Sequence, residues 1–194
     1  MHTPVLLNIG LAALLLALGN DTTHAADGGM IYDVADPPAC QNNLGESVLF
    51  RQRDMDGNGF AAGMAIREPS GDPVVYRFNF DQSAPVFQRF IDRHECAHHQ
   101  TGDIDRPHPP RNSPEHLMNE SIADCVAILR VREESGGDDS ELERTLEVLS
   151  DVMRQVGFPD ISIDSRAANI RHCYRNYGSS EEFIRGVLRE RGLL

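Results

Sequence analysis

The chain contains no lysine; all eighteen of its basic residues are arginine. That absence reads as a coding bias, with tolerance of salt or acid as the alternative. An excess of positive charge is missing too: thirty acidic residues leave a formal charge of −12. This argues against nucleic acid or an anionic membrane as the main partner. No apolar run reaches the ~20 residues of a membrane span, since the longest, from Val5 to Leu18, has about 14. There is no internal repeat and no low-complexity tract.

What is present suits one ordinary domain. A length of 194 residues allows a real core without a second domain, and 40% apolar with 25% charged residues is usual for a globular protein. The apolar run has the length of a signal-peptide core, and Thr23-His24-Ala25 ahead of Ala26 is a usable cleavage site. Residues 1–25 are therefore expected to be a signal peptide. The segment before the run holds no Lys or Arg, only His2, which leaves an uncleaved N-terminal anchor or a misassigned start as the other readings. The expected location is the periplasm or the extracellular space, with no stable membrane insertion beyond such an anchor.

Export makes the four cysteines, Cys40, Cys96, Cys125 and Cys173, read as two disulfides, with inert buried thiols as the plainer reading. Three pairings are open. Cys96 and Cys125 each fall inside a chemically suggestive segment. If those segments pack together, Cys96–Cys125 and Cys40–Cys173 are the favoured pairs.

Along the chain, 26–46 reads as an irregular arm and 47–194 as the domain. Three short strands are expected at 47–53, 60–67 and 74–80, separated by the turns Asp54-Met55-Asp56-Gly57-Asn58-Gly59 and Glu68-Pro69-Ser70-Gly71-Asp72-Pro73. Helices are expected from about Ser83 onward: 83–102, 113–134, 140–156, 166–177 and 180–191. Ser83 is the expected N-cap of the first, Pro85 suits its first turn, and Gly102 suits its left-handed end. Strands first and helices after give an α+β fold, a small antiparallel sheet followed by a helical body.

The most informative segment is His94-Glu95-Cys96-Ala97-His98. On a helix, His94 and His98 share one face a turn apart and can direct two imidazole nitrogens at one ion. Phe87, Ile91, His94 and His98 form one stripe, so the histidines face inward. On the 113–134 helix, Leu117, Glu120, Asp124, Ala127, Ile128 and Val131 also share a face. Two carboxylates on an otherwise apolar stripe are costly to bury without a cation or firm hydrogen bonds. One zinc ion held by His94, His98 and Glu120 resolves both halves, with Asp124 fixing a ligand histidine through its other ring nitrogen. Three protein ligands leave a position for water, as in catalytic zinc sites. Glu95 stands where it can take a proton from such a water and pass it to a leaving amine. Cys96 points away.

These residues resemble the gluzincin zinc metallopeptidases, in particular the M48-type peptidases and the neutral zinc metallopeptidases of bacteria. Their motif helix commonly reads His-Glu-x-x-His-His, as His94 to His99 do, and their ligand helix reads Glu-x-x-Ala-Asp, as Glu120 to Asp124 do. Cys125 after the aspartate is also familiar there. The resemblance covers about 87–131, with a strand upstream as in that fold. It implies a minimal gluzincin-like fold in which His94, His98 and Glu120 bind zinc, Glu95 is catalytic and Asp124 supports His94. M48-type enzymes often carry a His-Pro segment before an arginine; here Phe158-Pro159 precedes Arg166 without a histidine, which leaves Arg166 a minor candidate. The donor that stabilises the oxyanion or holds substrate is open among His99, His108, His116 and Tyr174.

Other patterns fit less well. A metzincin needs a glycine where Thr101 stands and a histidine where Ile104 stands. An aspartate-liganded site could use Asp103 or Asp105, both in a polar loop. The run from Asp54 to Gly59 imitates the start of a calcium loop, but position twelve would be Ala65 rather than glutamate. The expectation is an exported zinc metallopeptidase acting on protein or peptide substrates, with strand 74–80 pairing with extended substrate. The rival readings are a secreted zinc-binding protein without turnover, and an adaptor that uses the 101–112 loop as its interface.

Overall fold

The computed structural model describes residues 31–53 and 60–194. The expected leader, the arm up to residue 30 and the turn at 54–59 lie outside the described residues. The α+β expectation is met by a three-stranded sheet followed by five helices among those residues.

The sheet is mixed rather than antiparallel. Its strands β1 (Leu49–Arg53), β2 (Ala62–Arg67) and β3 (Pro73–Phe78) lie in the order β1-β3-β2. β2 and β3 form an antiparallel hairpin closed by the turn at 68–72, where Gly71 takes a positive φ of 94°. β1 pairs parallel with β3 on its other side. Burial explains the order. Val74 and Val75 in β3 are fully buried, as a strand covered on both sides requires. β1, Leu-Phe-Arg-Gln-Arg, is largely exposed, and its arginines suit an edge. Strand 74–80 therefore has neighbours on both sides, and its expected pairing with substrate is overturned. The edge beside the motif helix belongs to β2.

After a short 3-10 turn (Phe80–Gln82) comes α1 (Pro85–Gln100), which packs on β2 and β3. Its N-cap is Ala84 without a side-chain bond; Ser83, the expected cap, is buried one residue earlier. Pro85 takes the first turn, and Gly102 follows the C-cap with φ 76°. α2 (Pro114–Glu134) is capped by Ser113, which accepts from the His116 amide. Residues 123–129 of α2 are buried on every side because α1, α3 (Asp139–Gln155), α4 (Asp160–Asn176) and α5 (Ser180–Glu190) all contact this helix. α4 begins at Asp160, six residues before the expected start. Asp160 to Ser165 is β-branched and Asp/Ser-rich, weak in helix propensity, yet Pro159 starts the helix there.

The disulfides join Cys40 to Cys96 and Cys125 to Cys173, not the expected pairs. α1 and α2 do pack together. Neighbouring helices do not fix which face a cysteine occupies, however. Cys96 faces the sheet, among Cys40, Val48, Ala65 and Val75. Cys125 faces α4, among Ile170 and Cys173. Residues 31–40 form no helix or strand and are tied down by Cys40, by Gln88, which bonds Asp33 and Ala35, and by Arg77, which donates to the Ala35 carbonyl at 2.7 Å.

Candidate metal centre

Helical spacing puts His94 and His98 on the α1 face turned toward α2. Both are buried, at 4% and 7% exposure. Their Nε2 atoms stand 3.2 Å apart. Glu120 of α2 completes the group, with Oε2 at 3.2 Å from His94 Nε2 and Oε1 at 3.6 Å from His98 Nε2. Two nitrogens bound to one zinc at ~2.0–2.1 Å in tetrahedral geometry lie about 3.3 Å apart. The three residues can hold a metal ion as they stand.

The other ring nitrogens explain why. His94 Nδ1 lies 2.9 Å from Asp124 Oδ1, and His98 Nδ1 lies 2.9 Å from Asp103 Oδ2. Asp124 also accepts from Arg166 Nε and Nη2, each at 2.7 Å. Burial works against a charge on Asp124, yet Arg166 and His94 hold its pKa below the usual carboxylate range. Asp103 is likewise held low against burial, by His98 and Arg191. Ionised carboxylates only accept, so each Nδ1 carries a proton that it donates. In the neutral rings both Nε2 lone pairs then converge on the Glu120 carboxylate. Burial opposes a charge on His94, but its bonds to Asp124 and Glu120 push its pKa up to about 10. Glu120 is correspondingly held well below its usual value, His94 and His98 outweighing burial.

Glu95 is buried beside this group. Its Oε2 accepts the Ala65 amide at 2.8 Å, and burial raises its pKa despite the neighbouring histidines. Ala65 thus turns its N–H away from β3, toward α1. By the alternation of an antiparallel ladder, the backbone groups of Gly63 also face the free edge. A groove of about 710 Å³ opens on the site. Gly63, Phe87, Ile91 and Phe158 contribute to its walls, with His94, Glu95, Glu120 and Arg166. Leu117, expected on the buried stripe, is 52% exposed at the rim. Among the described residues, no helix is long and apolar enough to cross a membrane.

The remaining candidates divide. His116 lines the groove, and it also borders a small cavity next to His98 together with exposed His108. His99 is fully buried behind the site, its Nε2 donating to the Val74 carbonyl at 3.1 Å, so it is no donor to a substrate. Tyr174 is also removed from the site, buried in the helical core with its ring under Arg132. Arg166 lies in the groove, where it holds Asp124. Of the aspartates weighed as ligands, Asp103 instead holds His98 through Nδ1, and Asp105 pairs with Arg67 at 2.7 Å.

Arg191, which donates to Asp103, Gly63 beside Glu95 and the contact of Asp103 with His98 were not evident in the sequence. Only Gly63 left a signal, a glycine inside a strand, which often marks the close approach of another group. No protein-family model matches the chain, nor does any curated protein or solved structure.

Proposed function

We propose that the protein is an exported zinc metallopeptidase of gluzincin type that hydrolyses peptide bonds in protein or peptide substrates. The observation that carries this reading is the convergence of His94 Nε2, His98 Nε2 and the Glu120 carboxylate beside a buried, anchored Glu95 and an open groove. Two imidazoles and one carboxylate suit zinc. When bound, zinc supplies Lewis acidity toward a carbonyl oxygen and toward water.

The chain's own residues do the rest. Asp124 and Asp103 fix both rings, so the ligand set is arranged before the ion arrives. The Ala65 amide holds one Glu95 oxygen and leaves the other to take a proton and deliver it to the leaving amine. Burial raises the Glu95 pKa above the usual carboxylate value, the direction that strengthens a carboxylate as a base. The free edge of β2 borders the groove, so an extended substrate can pair there, beside Glu95. Two disulfides fit an oxidising compartment, in keeping with the periplasm or the cell exterior.

Glu95→Gln tests this reading. Hydrolysis of a mixed peptide library by the zinc-loaded protein should fall by at least about 100-fold, with zinc content unchanged. A parent protein that binds zinc and cleaves nothing in the library would instead support a metal-holding role.

A further inference from the structure

We infer that Arg191, the C-cap residue of α5, is a positioning residue of the metal centre, one that acts on His98 through Asp103. Its side chain is 9% exposed. Nη1 donates to the Thr101 carbonyl at 2.6 Å and to Asp103 Oδ1, and Nη2 donates to Asn119 Oδ1 at 2.8 Å. Each acceptor has a place in the site. Thr101 is the C-cap of α1, the helix that carries both histidines. Asp103 uses its second oxygen, Oδ2, for His98 Nδ1. Asn119 precedes Glu120 on α2. One guanidinium therefore joins the two segments that supply all three ligands.

The arrangement repeats on the other side of the centre. Arg166 holds Asp124, which holds His94; Arg191 holds Asp103, which holds His98. Each histidine has a carboxylate behind it, and each carboxylate has an arginine. Asp103 needs its arginine because it is 6% exposed, and a buried carboxylate that loses its cation does not keep its place. Arg191 on Oδ1 fixes the rotation of the carboxylate and so keeps Oδ2 on His98 Nδ1, the contact that sets the His98 tautomer. The loop is shaped for the contact: Gly102 turns with φ 76°, and Leu193 lies close over it, 2.6 Å from where a Cβ would stand.

The role presupposes that His94, His98 and Glu120 hold the ion, so the test contains a control for that centre. The full chain, H98A, D103N, R191Q and the double variant R191Q/D103N are titrated with zinc against a chromophoric chelator. Thermal midpoints are measured on the metal-free forms, and absorption spectra on the cobalt-loaded forms. R191Q should weaken zinc binding by about 10- to 100-fold and shift the cobalt bands. D103N should do the same, and the double variant should be no weaker than D103N, because Arg191 acts through Asp103. If R191Q does not fold, R191K enters the same cycle, since a compact ammonium on a flexible stem lacks the planar fork that reaches Thr101, Asp103 and Asn119 together. R191Q with a lowered midpoint but parental zinc affinity would reduce Arg191 to a structural staple. Independent, additive losses in the double variant would also overturn the proposal. H98A binding zinc as tightly as the parent would overturn the metal centre itself.

Discussion

Gly63 and Glu95 pack so closely that only a hydrogen fits between them. A Cβ at position 63 would overlap Glu95 Cγ, and would lie 2.7 Å from Ile91 Cγ2 and 2.8 Å from Glu95 Oε1. Gly63→Ala should push Glu95 off the Ala65 amide. Peptide hydrolysis should fall by about 100-fold, at a stability cost of about 1–3 kcal/mol and with zinc affinity little changed. Steady-state kinetics beside a chelator titration checks this; unaltered kcat/KM would show that Glu95 needs no such fit.

Asp124 is shared by His94 and Arg166. Asp124→Asn keeps the shape but loses the charge, leaving Arg166 without its carboxylate. Zinc affinity should drop by about 10- to 100-fold, and the metal-free protein should lose about 3 kcal/mol. Urea unfolding in chelator separates the second effect from the first. Parental zinc affinity in this variant would deny Asp124 its part.

The disulfide pairs can be read directly. A non-reducing digest followed by mass spectrometry should give Cys40 linked to Cys96 and Cys125 linked to Cys173. Replacing Cys125 and Cys173 together by alanine should cost about 2–5 kcal/mol. A peptide joining Cys96 to Cys125 would contradict the packing of both helices.

His99 supplies an acid-sensitive term. Burial pushes its pKa down to about 4, against about 6.5 in an unfolded chain. Between these values the unfolded chain binds a proton that the native ring refuses, so stability falls as pH falls. From pH 7.5 to pH 4.5 the loss from this group is about 2 to 3 kcal/mol. His99→Asn, whose amide can still donate to Val74, should lose that much less over the same range. Equal losses, measured by urea unfolding in chelator, would mean that His99 titrates normally in the fold.

The site was legible where helical periodicity governs. The i, i+4 spacing of His94 and His98 and of Glu120 and Asp124 fixes the face of each residue once the helices exist, and the cost of burying carboxylates brings the two faces together. Asp103 and Arg191 were not legible, because a loop turning at Gly102 and a helix end far along the chain meet only in the folded state. The disulfide pairing failed for a related reason: helix adjacency does not say which sides of Cys96 and Cys125 are turned together. The sheet order depended on burial, which set β3 in the centre with β1 parallel to it, whereas strands separated by short turns suggested an antiparallel sheet. The α4 start was hidden by the weak propensity of Asp160 to Ser165.

Everything proposed for the site depends on one ion held by His94, His98 and Glu120. Crystals of zinc-loaded protein, with anomalous scattering measured on both sides of the zinc absorption edge, should show one peak among His94 Nε2, His98 Nε2 and the Glu120 carboxylate, with Asp124 and Asp103 still on the Nδ1 atoms. A peak elsewhere, or Glu120 turned to solvent beside an empty pair of histidines, would contradict it.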